Sequence, residues 1–160
     1  MAKGTLATVA LDRAGVSYRL TEYEYNPGAA RVGLQAAQAL GADPAQVFKT
    51  LMVLADGKLT CAIIAADREL VMKALAAALG AKSAAMMPAA DAERVTGYKI
   101  GGVSPFGQKR LVPTVIDAAA MDWAEIYLNG GGRGLQVQMA PSDAVAYLGA
   151  TIAEIAQPVG

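Results

Sequence analysis

"KTLMVLADGKLTCAIIAA", residues 49–66, decides the fold. Two apolar runs, 49–55 and 58–66, flank Asp56-Gly57, the strongest short-range signal for a two-residue hairpin. A second hairpin is signalled downstream, where runs at 124–128 and 135–139 are joined by "NGGGRG" (129–134). Further strands are expected over 17–25, ending at the turn Asn26-Pro27-Gly28, and over 111–116.

The intervening segments read as helices. One covers 4–14, with Leu6, Val9 and Ala10 on one face and Gly15 placed to stop it. Another covers about 31–40, and "DPAQ" (43–46) marks a short helical turn with Asp43 as its cap. Asp67 is placed to cap a helix over 68–79 ending at Gly80, and a short helix is expected near 89–95. Pro141 and Ser142 open a helix to about 148, and "TIAE" (151–154) offers a capping box for a last one. Two antiparallel hairpins among irregularly alternating elements favour a mixed sheet with surrounding helices over a doubly wound parallel fold. One α+β domain over 1–160 is expected, with no internal repeat or linker.

Composition excludes several chemistries. Apolar residues make up 54% and charged residues 18% of the 160, so a substantial core is expected. The chain has no histidine, hence no Ser-His-Asp or Cys-His nucleophile pair and no His-ligated zinc. The one cysteine, Cys61, lies in an apolar run and reads as a buried structural thiol. Fourteen basic and fourteen acidic side chains cancel, so any grip on RNA is expected to be weak or assisted. No apolar stretch suits a bilayer span or a signal-peptide core, and a soluble cytoplasmic protein that binds neither membrane nor DNA is expected.

Three features could carry chemistry. Lys49 stands where a short helical turn hands over to an apolar strand, as either a solvated lysine or a cation fixed at a pocket mouth. Thr50 beside it is either an ordinary strand residue or a pocket hydroxyl. The stretch "TGYKIGGVSPFGQK" (96–109) is either a hinge-like surface loop or a backbone-lined cradle, in which Gly101-Gly102 permits close approach and Ser104-Pro105 fixes a turn. It matches no phosphate-loop pattern. Lys99, Lys109 and Arg110 lie in a stretch with no acid between residues 94 and 116. The third feature is "YLNGGGRGLQVQMA" (127–140), whose glycines exceed what a tight hairpin requires and suggest a second wall near Arg133.

Together "TEYEYNP", "DPAQVFKTLMV", "ALGAK", "TGYKIGGVSPFGQKRLVPTVID" and "IYLNGGGRGL" resemble the YbaK/EbsC family, the bacterial Cys-tRNA(Pro) deacylases and related trans-editing domains. The resemblance covers nearly the whole chain and is most specific from Thr96 to Asp117. It implies a mixed, largely antiparallel and partly barrel-like sheet with flanking helices. It also implies an enzyme that clears mischarged aminoacyl-tRNA, with Cys-tRNA(Pro) the expected substrate, in association with prolyl-tRNA synthetase; no cofactor or metal is expected. Lys49 falls on the essential lysine of that family, Tyr23 and Thr50 on pocket-lining positions, and Gly101, Gly102 and Ser104 on the loop that embraces the substrate. Two positions depart from the Cys-specific pattern: Asn129 stands where relatives carry Ser, and Gln136 where they carry an acid. Both belong to the aminoacyl pocket in the family, so an Ala- or Ser-tRNA deacylase using water is the rival. A non-catalytic module that binds a nucleotide or a synthetase is a rival of another class.

Overall fold

The computed structural model describes residues 4–26 and 32–159. In chain order the first half holds Leu6–Arg13 (α1), Arg19–Glu22 (β1), Val32–Leu40 (α2), Phe48–Ala55 (β2), Lys58–Ala65 (β3), Arg68–Leu70 (β4) and Met72–Leu79 (α3). The second half holds Ala84–Met86 (β5), Ala89–Thr96 (α4), Thr114–Asp117 (β6), Ile126–Asn129 (β7) and Leu135–Met139 (β8). Pro141–Leu148 (α5), Thr151–Ala153 (β9) and Ala156–Pro158 (β10) complete it, and a 3₁₀ turn over Ala118–Asp122 follows β6. Pro27 and Gly28 of the expected turn, and the start of the helix expected at 31, lie outside the described residues.

The 49–66 stretch forms its hairpin, with β2 and β3 paired antiparallel from Phe48↔Ala65 to Ala55↔Lys58. They sit at the centre of a five-stranded mixed sheet ordered β5-β2-β3-β6-β9, in which β3–β6 and β6–β9 are parallel. The remaining pairings are antiparallel, in a three-stranded sheet β1-β8-β7 and a two-stranded ribbon β10-β4. Among the described residues the sheets do not close into a barrel. Between the two larger ones there is an isolated bridge, Val47↔Tyr127, and the edge strands β5 and β9 are three residues long, too short for a closing ladder.

The unbroken apolar run of β3 follows from burial on both faces. Cys61 and Ile63 pack with Phe48, Met52, Ile116 and Leu128, whereas Ala62 and Ile64 pack with Val53, Leu75, Val115 and Ile155. Two local signals lost to long-range pairing. Asp67 caps no helix, because 68–70 extends as β4 against β10, and the following helix begins at Met72 behind an uncapped Val71. "TIAE" is not helical either: Thr151 and Ile152 join β6 as a parallel neighbour. The buried Asp117 carboxylate accepts from Ile155 N at 2.9 Å and so holds that turn.

The hairpin turn is anchored from outside. Asp56 adopts φ +49°, and its carboxylate accepts from Lys82 N at 3.0 Å and Ser83 N at 3.1 Å. These backbone donors hold its carboxyl below the ordinary 3.8. A group whose pKa is depressed by folding stabilises the fold above its unfolded value and loses that contribution as pH falls through the folded one. Urea midpoints followed downward from neutral pH should therefore drop more steeply below about pH 4 for the wild type than for Asp56→Asn. Parallel curves would remove the carboxylate from this role.

Candidate active site

The site begins at an uncovered strand edge. β5 pairs with Val53–Ala55 only, and the bridge to Tyr127 of β7 lies at Val47, so Lys49–Leu51 have no strand neighbour on that side among the described residues. Met52 O accepts from Met87 N on the β5 side, and Val53 O accepts from the Thr60 hydroxyl on the β3 side. The two-residue alternation of a strand then turns the N–H and C=O of Thr50 to the open edge. A cavity of about 370 Å³ lies along it. Phe48, Met52, Met87 and Val103 supply apolar lining, and the exposed Met86 and Ile100 flank the lining as well.

The 96–109 stretch is a braced wall. α4 ends at Thr96, whose hydroxyl donates to Ala92 O and accepts from Tyr98 N. The buried Tyr98 hydroxyl donates to Phe106 O, and Phe106 packs edge-on against Tyr147 at 5.5 Å between ring centroids. Ile100 N donates to the Glu93 carboxylate at 2.8 Å. Ser104 does not reach the cavity: it is fully buried, its hydroxyl accepts from Phe106 N, and its carbonyl accepts from Gln108.

The second glycine turn packs onto this wall, and the contact explains its composition. A Cβ on Gly102 would stand 2.9 Å from both Arg133 N and Gly132 C, so the two backbones meet where only glycine fits. Gly102 therefore works between the walls and does not line the cavity. Gly101 does line it, at φ +90°, with the Tyr25 hydroxyl 2.7 Å from where a Cβ would be. Asn129 joins the two turns: its amide oxygen accepts from Gly131 N at 2.7 Å and Gly132 N at 3.2 Å, and its amide nitrogen donates to Gly101 O at 3.3 Å. Asn129 borders the cavity, yet its side chain serves the walls.

Five of the eight expected residues line the cavity: Lys49, Thr50, Gly101, Asn129 and Gln136. Lys49 is half-buried there. Among the described residues the Thr50 hydroxyl and the Gln136 amide oxygen are buried without a hydrogen-bond partner, and Gln136 is only 4% exposed. Tyr23 does not line the cavity but lies near Gln136, and its hydroxyl is buried and likewise unpartnered among the described residues. Burial raises the Tyr23 pKa, against the lowering influence of the Gly134 backbone and the Gln136 side chain, so it remains a proton donor at neutral pH. Cys61 lies within the core, and burial pushes its thiol up to about 12, which makes it inert. Among the described residues no group of acids and cysteines is placed to hold a metal.

Sequence reasoning missed the methionine wall, Tyr25 and the fixed position of Arg133. Met86-Met87 carries no periodic signal, and the others depend on contacts between distant turns.

The model of the aminoacyl-tRNA editing domain family matches residues 27–147. EbsC of Enterococcus faecalis, named as a candidate Cys-tRNA(Pro)/Cys-tRNA(Cys) deacylase, is 36% identical over 121 residues, 74% of this chain and 73% of its own length. The crystal structure of a candidate trans-editing enzyme for prolyl tRNA synthetase shares the fold, with a TM-score of 0.83 at 23% identity over 97% of this chain and 96% of that one. Hypothetical protein APE2540 shares it too, with a TM-score of 0.80 at 24% identity over 92% and 96%. The chain belongs to the aminoacyl-tRNA editing domain family, a family of deacylating enzymes. No helix among the described residues is long and apolar enough to cross a membrane.

Gly102→Ala should destabilise the protein by about 1–3 kcal/mol through overpacking and depress deacylation. Gly132→Ala, whose added Cβ meets nothing nearer than 3.9 Å, should be close to neutral. Thermal melts and turnover of the pair decide it, and equal behaviour would show that the walls do not need their close approach.

Proposed function

We propose that the chain clears mischarged tRNA in trans, with Cys-tRNA(Pro) as its substrate, by letting the substrate's own thiol do the chemistry. The observation that carries this reading is a cavity with one lysine and buried, unpartnered oxygens of Thr50 and Gln136, but no nucleophile–base pair. An aminoacyl ester is already activated, so a site that orients it and stabilises an oxyanion is sufficient.

In the proposed step the cysteinyl sulfur forms a bond to its own carbonyl carbon, and the negative charge moves to the carbonyl oxygen. Lys49 and the edge N–H of Thr50 stabilise that oxyanion. Collapse breaks the carbon–oxygen bond to the ribose, whose oxygen takes up the proton the thiol has lost. The products are a cyclic thiolactone and tRNA with a free terminal hydroxyl. Gln136 accepts a hydrogen bond from the substrate's α-ammonium, and the Tyr23 hydroxyl donates beside it.

A second reading, an Ala- or Ser-tRNA deacylase using water, is favoured by Gln136, whose neutral amide replaces the acid of the Cys-specific pattern. Because the net charge is zero, we assign tRNA selection to a synthetase partner of the prolyl class, in the cytoplasm. The whole chain then serves as one editing domain whose own affinity for tRNA is weak and salt-sensitive.

Single-turnover assays on Cys-, Ala- and Ser-tRNA(Pro) test the reading. Cys-tRNA(Pro) should be cleared fastest with thiolactone as product, and Lys49→Ala should lower the rate by about 10²–10³-fold, the usual cost of an oxyanion donor. Undiminished turnover by a folded Lys49→Ala protein would overturn it. Free amino acid as the product, with Ala or Ser preferred, would transfer the assignment to water attack.

A further inference from the structure

We propose that Arg133 is a docking point for a phosphodiester of the RNA strand that leads away from the cavity, an inference that rests on the deacylase reading. Arg133 is exposed at the tip of the second glycine turn, yet its side chain is held. Its Nε donates to Ile100 O at 2.9 Å, and its guanidinium carbon lies 5.5 Å from the centroid of the Tyr25 ring. Nε is also 3.4 Å from where a Gly101 Cβ would stand, and both Ile100 and Gly101 line the cavity. The guanidinium is therefore fixed at the cavity rim.

What fixes it leaves its charge available. Arg19, Arg68 and Arg94 each stand within ion-pair distance of a carboxylate, at Glu125, Asp67 and Asp91 respectively. Among the described residues Arg133 pairs with none; a carbonyl oxygen and an aromatic ring hold it instead. The bond to Ile100 uses Nε, so the two terminal nitrogens keep their donors for a ligand. That planar fork suits the two non-bridging oxygens of a phosphate, and a side chain already held in place loses less entropy on binding.

The surroundings agree in sign. Lys99 is exposed next to Ile100, and no acid occurs between residues 94 and 116. The nearby Glu93 carboxylate is engaged by Ile100 N. With the aminoacyl end of a tRNA in the cavity, the chain leaving it carries one phosphodiester per nucleotide, and a cationic rim meets that chain where the ester alone would have no use for it.

Arg133→Gln removes the charge and the fork, while the Gln amide can still donate to Ile100 O. Kinetics are compared on aminoacyl-tRNA(Pro) and on aminoacyl-adenosine carrying the same amino acid, which has no phosphodiester. The variant should raise KM about tenfold on the tRNA, the equivalent of one lost contact near 1.4 kcal/mol, with kcat unchanged and the salt slope of binding reduced by about one. On aminoacyl-adenosine it should match the wild type. Equal losses on both substrates would make Arg133 a brace of the walls and overturn the proposal. Affinity for the RNA trinucleotide CCA, measured without turnover, separates this inference from the activity on which it rests. If the wild type cleaves neither ester, the deacylase reading falls. If it binds CCA no better than Arg133→Gln does, the phosphate site falls.

Discussion

β2 is covered unequally, and the site depends on that inequality. β3 pairs with it over its whole length, whereas β5 pairs with three residues only. An uncovered strand edge is ordinarily a liability, because its backbone groups invite pairing with any other chain. Here two glycine-rich turns enclose the space beside it, so Thr50 presents its backbone groups to a small cavity instead of to a partner strand. A fuller β5 would have satisfied those groups and filled the space. The catalytic proposal and the fold therefore share one cause, an early end to a ladder.

The enclosing turns look flexible in composition and are not so in structure. Gly102 lets the backbones at 102 and 132–133 approach closely, and Asn129 ties the second turn to Gly101. This matters energetically because donors that are already oriented need no reorganisation when charge develops. It also gives Asn129 a physical reason: its amide makes three hydrogen bonds, two accepted and one donated, across a gap that a Ser side chain, with one short hydroxyl, cannot span in the same way. The Gln136 amide oxygen, by contrast, remains uncommitted among the described residues.

Much of this was readable wherever a short stretch carries its own signal. Asp56-Gly57 specified the central hairpin, 135–139 its strand, and Pro141 to Leu148 its helix, each with the expected bounds or within a residue of them. The failures have the opposite character. At Asp67 and at "TIAE" the local capping pattern was present, but β4, β9 and β10 gained ladder hydrogen bonds from segments distant in the chain, and those outweigh a cap. The cavity followed the same division. Lys49, Thr50 and Gly101 sit in distinctive local strings, while the burial of Ser104, the bracing work of Gly102 and the held posture of Arg133 arise only when two remote turns meet.

The missing histidine and the buried cysteine constrain the chemistry together. Cys61 is the chain's one thiol, and burial holds it protonated in the core, away from the cavity lining. Burial also raises the Tyr23 pKa, so that hydroxyl offers no base at neutral pH. A site composed in this way can bind, orient and stabilise charge, but it offers no side-chain nucleophile paired with a base. The nucleophile must then arrive with the substrate or as water. A cysteinyl ester, which carries a thiol two bonds from its own α-carbon, is the aminoacyl group that makes least demand on such a protein.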